Sequence, residues 1–134
     1  MIIQPDSLEH LILYLAEDDW LELGNTNAYA GDFETDLSKR KSLLTAVVRR
    51  LSEAGYIGIG DLQYRDPGAK TGLHWAEWPG SLDEQIAHLV EIYTPERRDD
   101  DNWRWACWFN LTEQGRRIVE TLPEPDDRFF DGLV

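Results

Sequence analysis

Cysteine, methionine and histidine are scarce in this chain, at one, one and three among 134 residues. A lone Cys107 excludes an internal disulfide framework and any CxxC zinc or redox motif. His10 and His88 stand at no metal-ligand spacing. His74 and Glu77 form an H-x-x-E, but Gly72 and Pro79 around them predict a loop, not the helix that would bring both side chains to one metal. No serine lies in a G-x-S-x-G turn, and Gly58-Ile59-Gly60 lacks the third glycine and the helix of a phosphate-cradling loop. The expectation is therefore no catalytic residue, no metal, no other cofactor and no enzyme. Positive charge is scarce too: 13 Lys and Arg face 26 Asp and Glu, a net charge of −13 whose bulk field repels nucleic acid and anionic lipid. The longest apolar stretches, such as Leu11 to Ala16, fall far short of the roughly 20 residues that span a bilayer. No charged-apolar-small leader opens the chain, so a soluble, cytoplasmic protein without a membrane partner is expected.

The length and the 42% hydrophobic content suit one domain, here placed at 1–122, followed by an acidic, mobile tail at 123–134. A first helix runs from the Ser7 cap through Leu8, Leu11, Ile12 and Leu15 to about Glu17. Residues 18–36 hold two glycines and two asparagines, which predict a short strand or turn at Trp20 to Leu23 and then irregular chain. Asp36 caps the strongest helix, Leu37 to Ala54, which Gly55 ends. Ile57 and Ile59 share one face of a strand that bulges or breaks at Gly60, and residues 65–80 are turn-rich. Ser81 and Glu84 form a capping box for a helix reaching Tyr93, which Pro95 closes ahead of a charged loop. From Trp103 to Leu111 the alternation predicts a second strand. Trp103, Trp105, Cys107, Phe109 and Leu111 fall on its core face and Trp108 on the other, so Cys107 is expected to be a buried, inert thiol. Thr112 caps a last helix ending near Leu122.

Two segments carry a resemblance. Leu44, Val48 and Leu51 ahead of Ala54-Gly55-Tyr56-Ile57, together with Phe109-Asn110-Leu111-Thr112-Glu113-Gln114-Gly115-Arg116-Arg117, resemble the recognition-helix end and the wing end of winged-helix transcriptional regulators of the MarR and PadR type. The likeness spans 37–64 and 105–122. It implies an α+β, winged-helix-like domain of helices plus a small antiparallel hairpin, with 65–104 as a helical insertion in the wing. The middle helix of such a domain belongs in 18–36, where the sequence shows no helical period.

Two surfaces follow as candidates. By segment the charge is −9 over 1–36, +4 over 37–57, −5 over 58–111 and −3 over 112–134, so the sole positive segment is the one the resemblance would send into DNA. On that helix Ser38, Ser42, Thr45 and Arg49 share a face flanked by Lys39, Lys41 and Arg50, groups suited to phosphates and base edges. The second surface gathers Trp75, Trp78, Trp103 and Trp108 near Arg97, Arg98 and Arg104. Trp103 and Trp108 point to opposite faces of one predicted strand, so a one-sided core cannot cover them all, and exposed Trp beside Arg has the composition of a protein-binding hot spot. The tail adds Phe129 and Phe130, framed by Asp126, Asp127 and Asp131, as a segment that orders on a partner's groove. The leading expectation is a non-catalytic protein-interaction or regulatory adaptor module, its partner an unidentified protein or a second copy in a homodimer. A transcriptional regulator contacting duplex DNA through 37–54 is the alternative.

Overall fold

Four short side chains start four of the helices by accepting an orphan backbone N–H. Ser7 Oγ takes the N–H of His10 at 3.1 Å, Asp36 Oδ1 that of Lys39 at 2.9 Å, Ser81 Oγ that of Glu84 at 3.2 Å and Thr112 Oγ1 that of Gly115 at 3.0 Å. In the computed structural model, which describes residues 1–97 and 103–130, these caps open α1 (Leu8–Asp18), α3 (Leu37–Glu53), α4 (Leu82–Ile92) and α5 (Glu113–Val119). Gly55 ends α3 in the left-handed region at φ 79°, as its place after the last apolar turn requires.

Between α1 and α3 the chain is more ordered than its composition suggests. A two-residue strand, β1 (Leu21–Glu22), leads into α2 (Leu23–Ala30), a helix the sequence does not show because Gly24, Asn25 and Asn27 are poor helix formers. Tertiary contacts hold it. Glu22 Oε1 caps Asn25, the N–H groups of Leu23 and Gly24 donate to the carbonyls of Cys107 and Arg104, and the Tyr93 hydroxyl donates to Asn27 Oδ1 at 2.5 Å.

The sheet is larger than a hairpin. Strands β2 (Ile57–Asp66), β3 (Thr71–Glu77) and β4 (Trp108–Leu111) join β1 in the order β1-β4-β2-β3, antiparallel throughout. The expected bulge at Gly60 is absent: β2 continues through it, and Gly60 pairs with Glu77 on one side and Trp108 on the other. Its lack of a side chain serves close approach instead, since a Cβ there would overlap the Ala76 carbonyl. Much of the segment expected to be turn-rich is β3, and His74 and Glu77, an odd number of residues apart in a strand, point to opposite faces. The second strand is shorter than its alternation suggested, because Trp103 to Ala106 form a turn and only Trp108 to Leu111 pair.

Ile57, Ile59, Phe109, Leu111 and Leu21 line one face of the sheet, where they meet Ile12 and Leu13 of α1 and Leu44, Val47, Val48 and Leu51 of α3 in a single core. The result is an α+β domain compatible with a winged-helix-like arrangement. Among the described residues no helix is long and apolar enough to cross a membrane.

The tail departs from expectation up to Phe130. Residues Asp127–Phe130 form a 3-10 turn; Phe129 is buried and stacks on Phe33 at 5.6 Å, while Phe130 packs edgewise against Tyr29 and beside Tyr14. Asp126 anchors it by donating its N–H to Asp6 Oδ1 at 2.8 Å. The Phe pair has thus found its groove on its own domain, between α1 and the end of α2, where Tyr14, Tyr29 and Phe33 offer rings. Asp131 and Arg98 lie outside the described residues.

Cys107 is fully buried on the core side, and burial, reinforced by the Asp61 carboxylate, pushes its thiol well above the usual range. It should label slowly with a thiol reagent in the native protein and rapidly in denaturant. Burial also raises the Tyr93 phenol. Both groups hold a proton more firmly folded than unfolded, so their stabilisation is complete below the unfolded pKa values, about 8.5 and about 10, and is lost as pH rises above them. Each contributes a fall of about 1.4 kcal/mol per pH unit in that window. Urea titrations at stepped pH should show the Cys107→Ala variant losing the earlier part of this alkaline decline; an unchanged slope would place the thiol in solvent.

The docked tail carries its own expectation. Phe129→Ala should lower folding stability by about 1.5–3 kcal/mol, the worth of one buried ring, read from the shift in urea midpoint, and a null shift would show the ring to be undocked in solution.

Candidate protein-interaction surface

Because side chains alternate along a strand, fixing Ile57, Ile59, Phe109 and Leu111 in the core fixes what the opposite face displays. From one edge to the other it carries Glu22 on β1, Trp108 and Asn110 on β4, Gly58, Gly60, Leu62 and Tyr64 on β2, and Leu73, Trp75 and Glu77 on β3. None of its large apolar side chains belongs to the core cluster. Tyr64 and Leu73 are exposed, while Leu62, Trp75 and Trp108 are half-buried.

Trp75 owes its position to two glycines. Its Cζ2 lies 3.4 Å from where a Cβ of Gly58 would stand and 2.9 Å from that of Gly60, so the indole lies across β2 where any side chain would lift it off. The G-I-G sequence is thus the bed of a tryptophan. At the β1 side Trp20 Nε1 donates to Asn110 Oδ1 at 3.1 Å, adding a further indole at the margin.

The turn before β4 completes the patch. Trp105, 53% exposed, stacks on Trp108 with ring centroids 5.6 Å apart. The Arg104 guanidinium sits 5.3 Å from the Trp105 ring centroid and 3.8 Å from Glu22 Oε1, while its alkyl stem lies on Gly24. Strand parity had assigned Trp105 to the core; the turn at 103–106 breaks that parity and turns the ring out.

Four residues expected here are elsewhere. Trp78 is buried, its ring tilted against that of His88 with centroids 4.1 Å apart, and its carbonyl accepts from Gln85 Nε2, so it anchors α4. Trp103 is buried against Tyr93 and donates from Nε1 to the Arg97 carbonyl at 2.6 Å. The tail residues Phe129 and Phe130 are held by the α1 and α2 rings and do not reach this face. Trp75, Trp108 and Arg104 therefore remain from the expected set, joined by Trp105, Trp20, Leu62, Tyr64 and Leu73, which the sequence did not single out.

The basic helix face is modified by α4. α4 lies beside α3, and a groove of about 460 Å³ runs between them, lined by Ser38, Lys41, Ser42, Thr45 and Arg49 on one side and by Ile86 and Val90 on the other. Arg49 donates to Asp83 at 2.6 Å and lies 3.7 Å from Glu53; Arg50 lies 3.6 Å from Glu9. Thr45 turns its hydroxyl back to the Lys41 carbonyl at 2.7 Å, and Ser42 does the same toward Ser38. Ser38, Lys39 and Ser42 stay exposed.

Among the described residues no cluster of three or more His, Cys, Asp or Glu side chains is arranged to hold a metal ion. Comparison of the chain with protein-family models, with curated proteins and with solved structures found no match.

Proposed function

We propose that the chain is a non-catalytic protein-interaction or adaptor module that meets its partner through the open face of its sheet. One observation carries this reading: Trp75, Trp105, Trp108, Leu62, Tyr64 and Leu73 form an apolar, aromatic patch that contributes nothing to the core. Contiguous exposed apolar surface on a folded domain marks a place where another surface is buried, and Trp with Arg supplies most of the binding energy at such places. The rings are also preorganised: Trp75 is bedded on glycine, Trp108 braced by Trp105, and Arg104 fixed by Glu22. Cys107, buried and neutral, offers no nucleophile.

DNA contact through α3 has weaker support. Arg49 and Arg50, its principal phosphate donors, are already paired with carboxylates, and α4 flanks the helix that would enter a groove. A broad pool of duplexes at low salt should therefore be left unretarded by the chain. Retardation that weakens steeply with salt and disappears in Arg49→Ala would move the function to α3.

The sheet-face reading separates two classes of tryptophan. Trp103→Ala, removing a buried ring, should cost about 3–5 kcal/mol of stability, whereas Trp105→Ala should cost no more than about 1.5 kcal/mol, the worth of one exposed ring pair. A photo-crosslinking residue at Tyr64 in cells of the source should capture a discrete partner, and the Trp105→Ala change should suppress that product. The same probe at Glu120, beyond α5, serves as the control; identical products from both positions would refute the assignment.

A further inference from the structure

Over Gly58 two unlike side chains converge. Glu77 Oε1 lies 3.0 Å and Trp75 Cζ2 3.4 Å from the point where a Cβ would stand, so a carboxylate and an indole sit side by side on the open face. Glu77 is exposed, and no ion pair among the described residues engages it. Elsewhere on the same face the combination of a ring and a carboxylate already holds a cation: Arg104 lies over Trp105 and beside Glu22. The charges that strand position puts on this face are Glu22, Asp66 and Glu77, with Arg104 from the adjoining turn, on a chain of net charge −13. Strand β3, which carries both Trp75 and Glu77, is an edge strand of the sheet, so its unpaired side suits a partner in extended conformation.

We propose that the open face recognises an arginine in a basic, extended segment of another protein, its guanidinium stacked on the Trp75 indole and paired with the Glu77 carboxylate. The proposal rests on the open face being the partner's surface and adds the chemistry of what it takes. Arginine fits better than lysine, because a planar guanidinium stacks on an indole and donates in-plane to a carboxylate at once, while an ammonium does only one of these well. The acidity of the whole chain draws such a segment in, and the aromatic patch then orients it.

Tryptophan-fluorescence and calorimetric titrations with unstructured peptides test this, one alternating arginine with glycine, one lysine with glycine and one glutamate with glycine. The arginine peptide should bind, the lysine peptide about tenfold more weakly, and the glutamate peptide not at all. Glu77→Gln should weaken arginine-peptide binding about fivefold to thirtyfold, the span expected for losing one charge-assisted pair while the stacking on Trp75 is kept. Glu120→Gln, which changes the net charge equally, should leave it as it was. Trp75→Phe, which keeps a ring across the glycines, should bind more weakly than the parent while retaining the parent's circular dichroism. Equal binding of arginine and lysine peptides, or equal loss in Glu77→Gln and Glu120→Gln, would reduce the effect to diffuse attraction and overturn the proposal, as would no binding of any peptide. In that event persistent crosslinks from Tyr64 would show that the face still serves a partner of other chemistry.

Discussion

The pairing of β4 between β1 and β2 is the constraint on which the rest depends. It brings Trp108–Leu111 from late in the chain into register with Leu21–Glu22 and with Ile57–Gly60, tying three distant segments into one sheet. The register also commits each side chain to a face, since a slip of one residue would exchange Phe109 and Leu111 for Trp108 and Asn110. Helices α1 and α3 cover the first pair, and the second pair faces away from that core. The domain thus has one dry side and one aromatic side because a strand has a period of two.

The same sheet explains why the 65–97 segment does not behave as an appendage. Its hairpin lengthens β2 and adds β3, while Trp78, donating its backbone N–H to Ile59 at 2.9 Å, turns the chain back toward α3. α4 then lies along α3, and its first turn supplies Asp83 to Arg49. An acidic residue near a helix N-terminus is favourable in its own right, so this ion pair joins two helices at little electrostatic cost. What sequence charge presents as a free basic surface is in the fold partly internal to the molecule.

Glycine and tryptophan act together in the candidate site. Gly58 and Gly60 weaken β2 as a strand, and an indole laid across them restores the packing they forfeit while remaining partly open to solvent. The tail works in a related way on another side, where Phe129 and Phe130 cover rings of α1 and α2. One set of aromatic side chains is satisfied within the chain and the other is left presented.

The sequence by itself determined the local features whose physics is local. The Ser7, Asp36, Ser81 and Thr112 caps, the apolar stripe of α3, the Gly55 stop, the Ile57 and Phe109 faces and the burial of Cys107 all follow from hydrogen-bonding groups and periodicities a few residues long. What tertiary structure decided is what distant segments do to one another. Helix α2 forms against its own propensity because Tyr93 and the Cys107 and Arg104 carbonyls complete its bonds. Trp103 and Trp105 part company because a turn replaces the strand their alternation suggested. Glu77 joins Trp75 rather than His74, and Arg49 is engaged by Asp83, because partners far along the chain meet only once the sheet has closed.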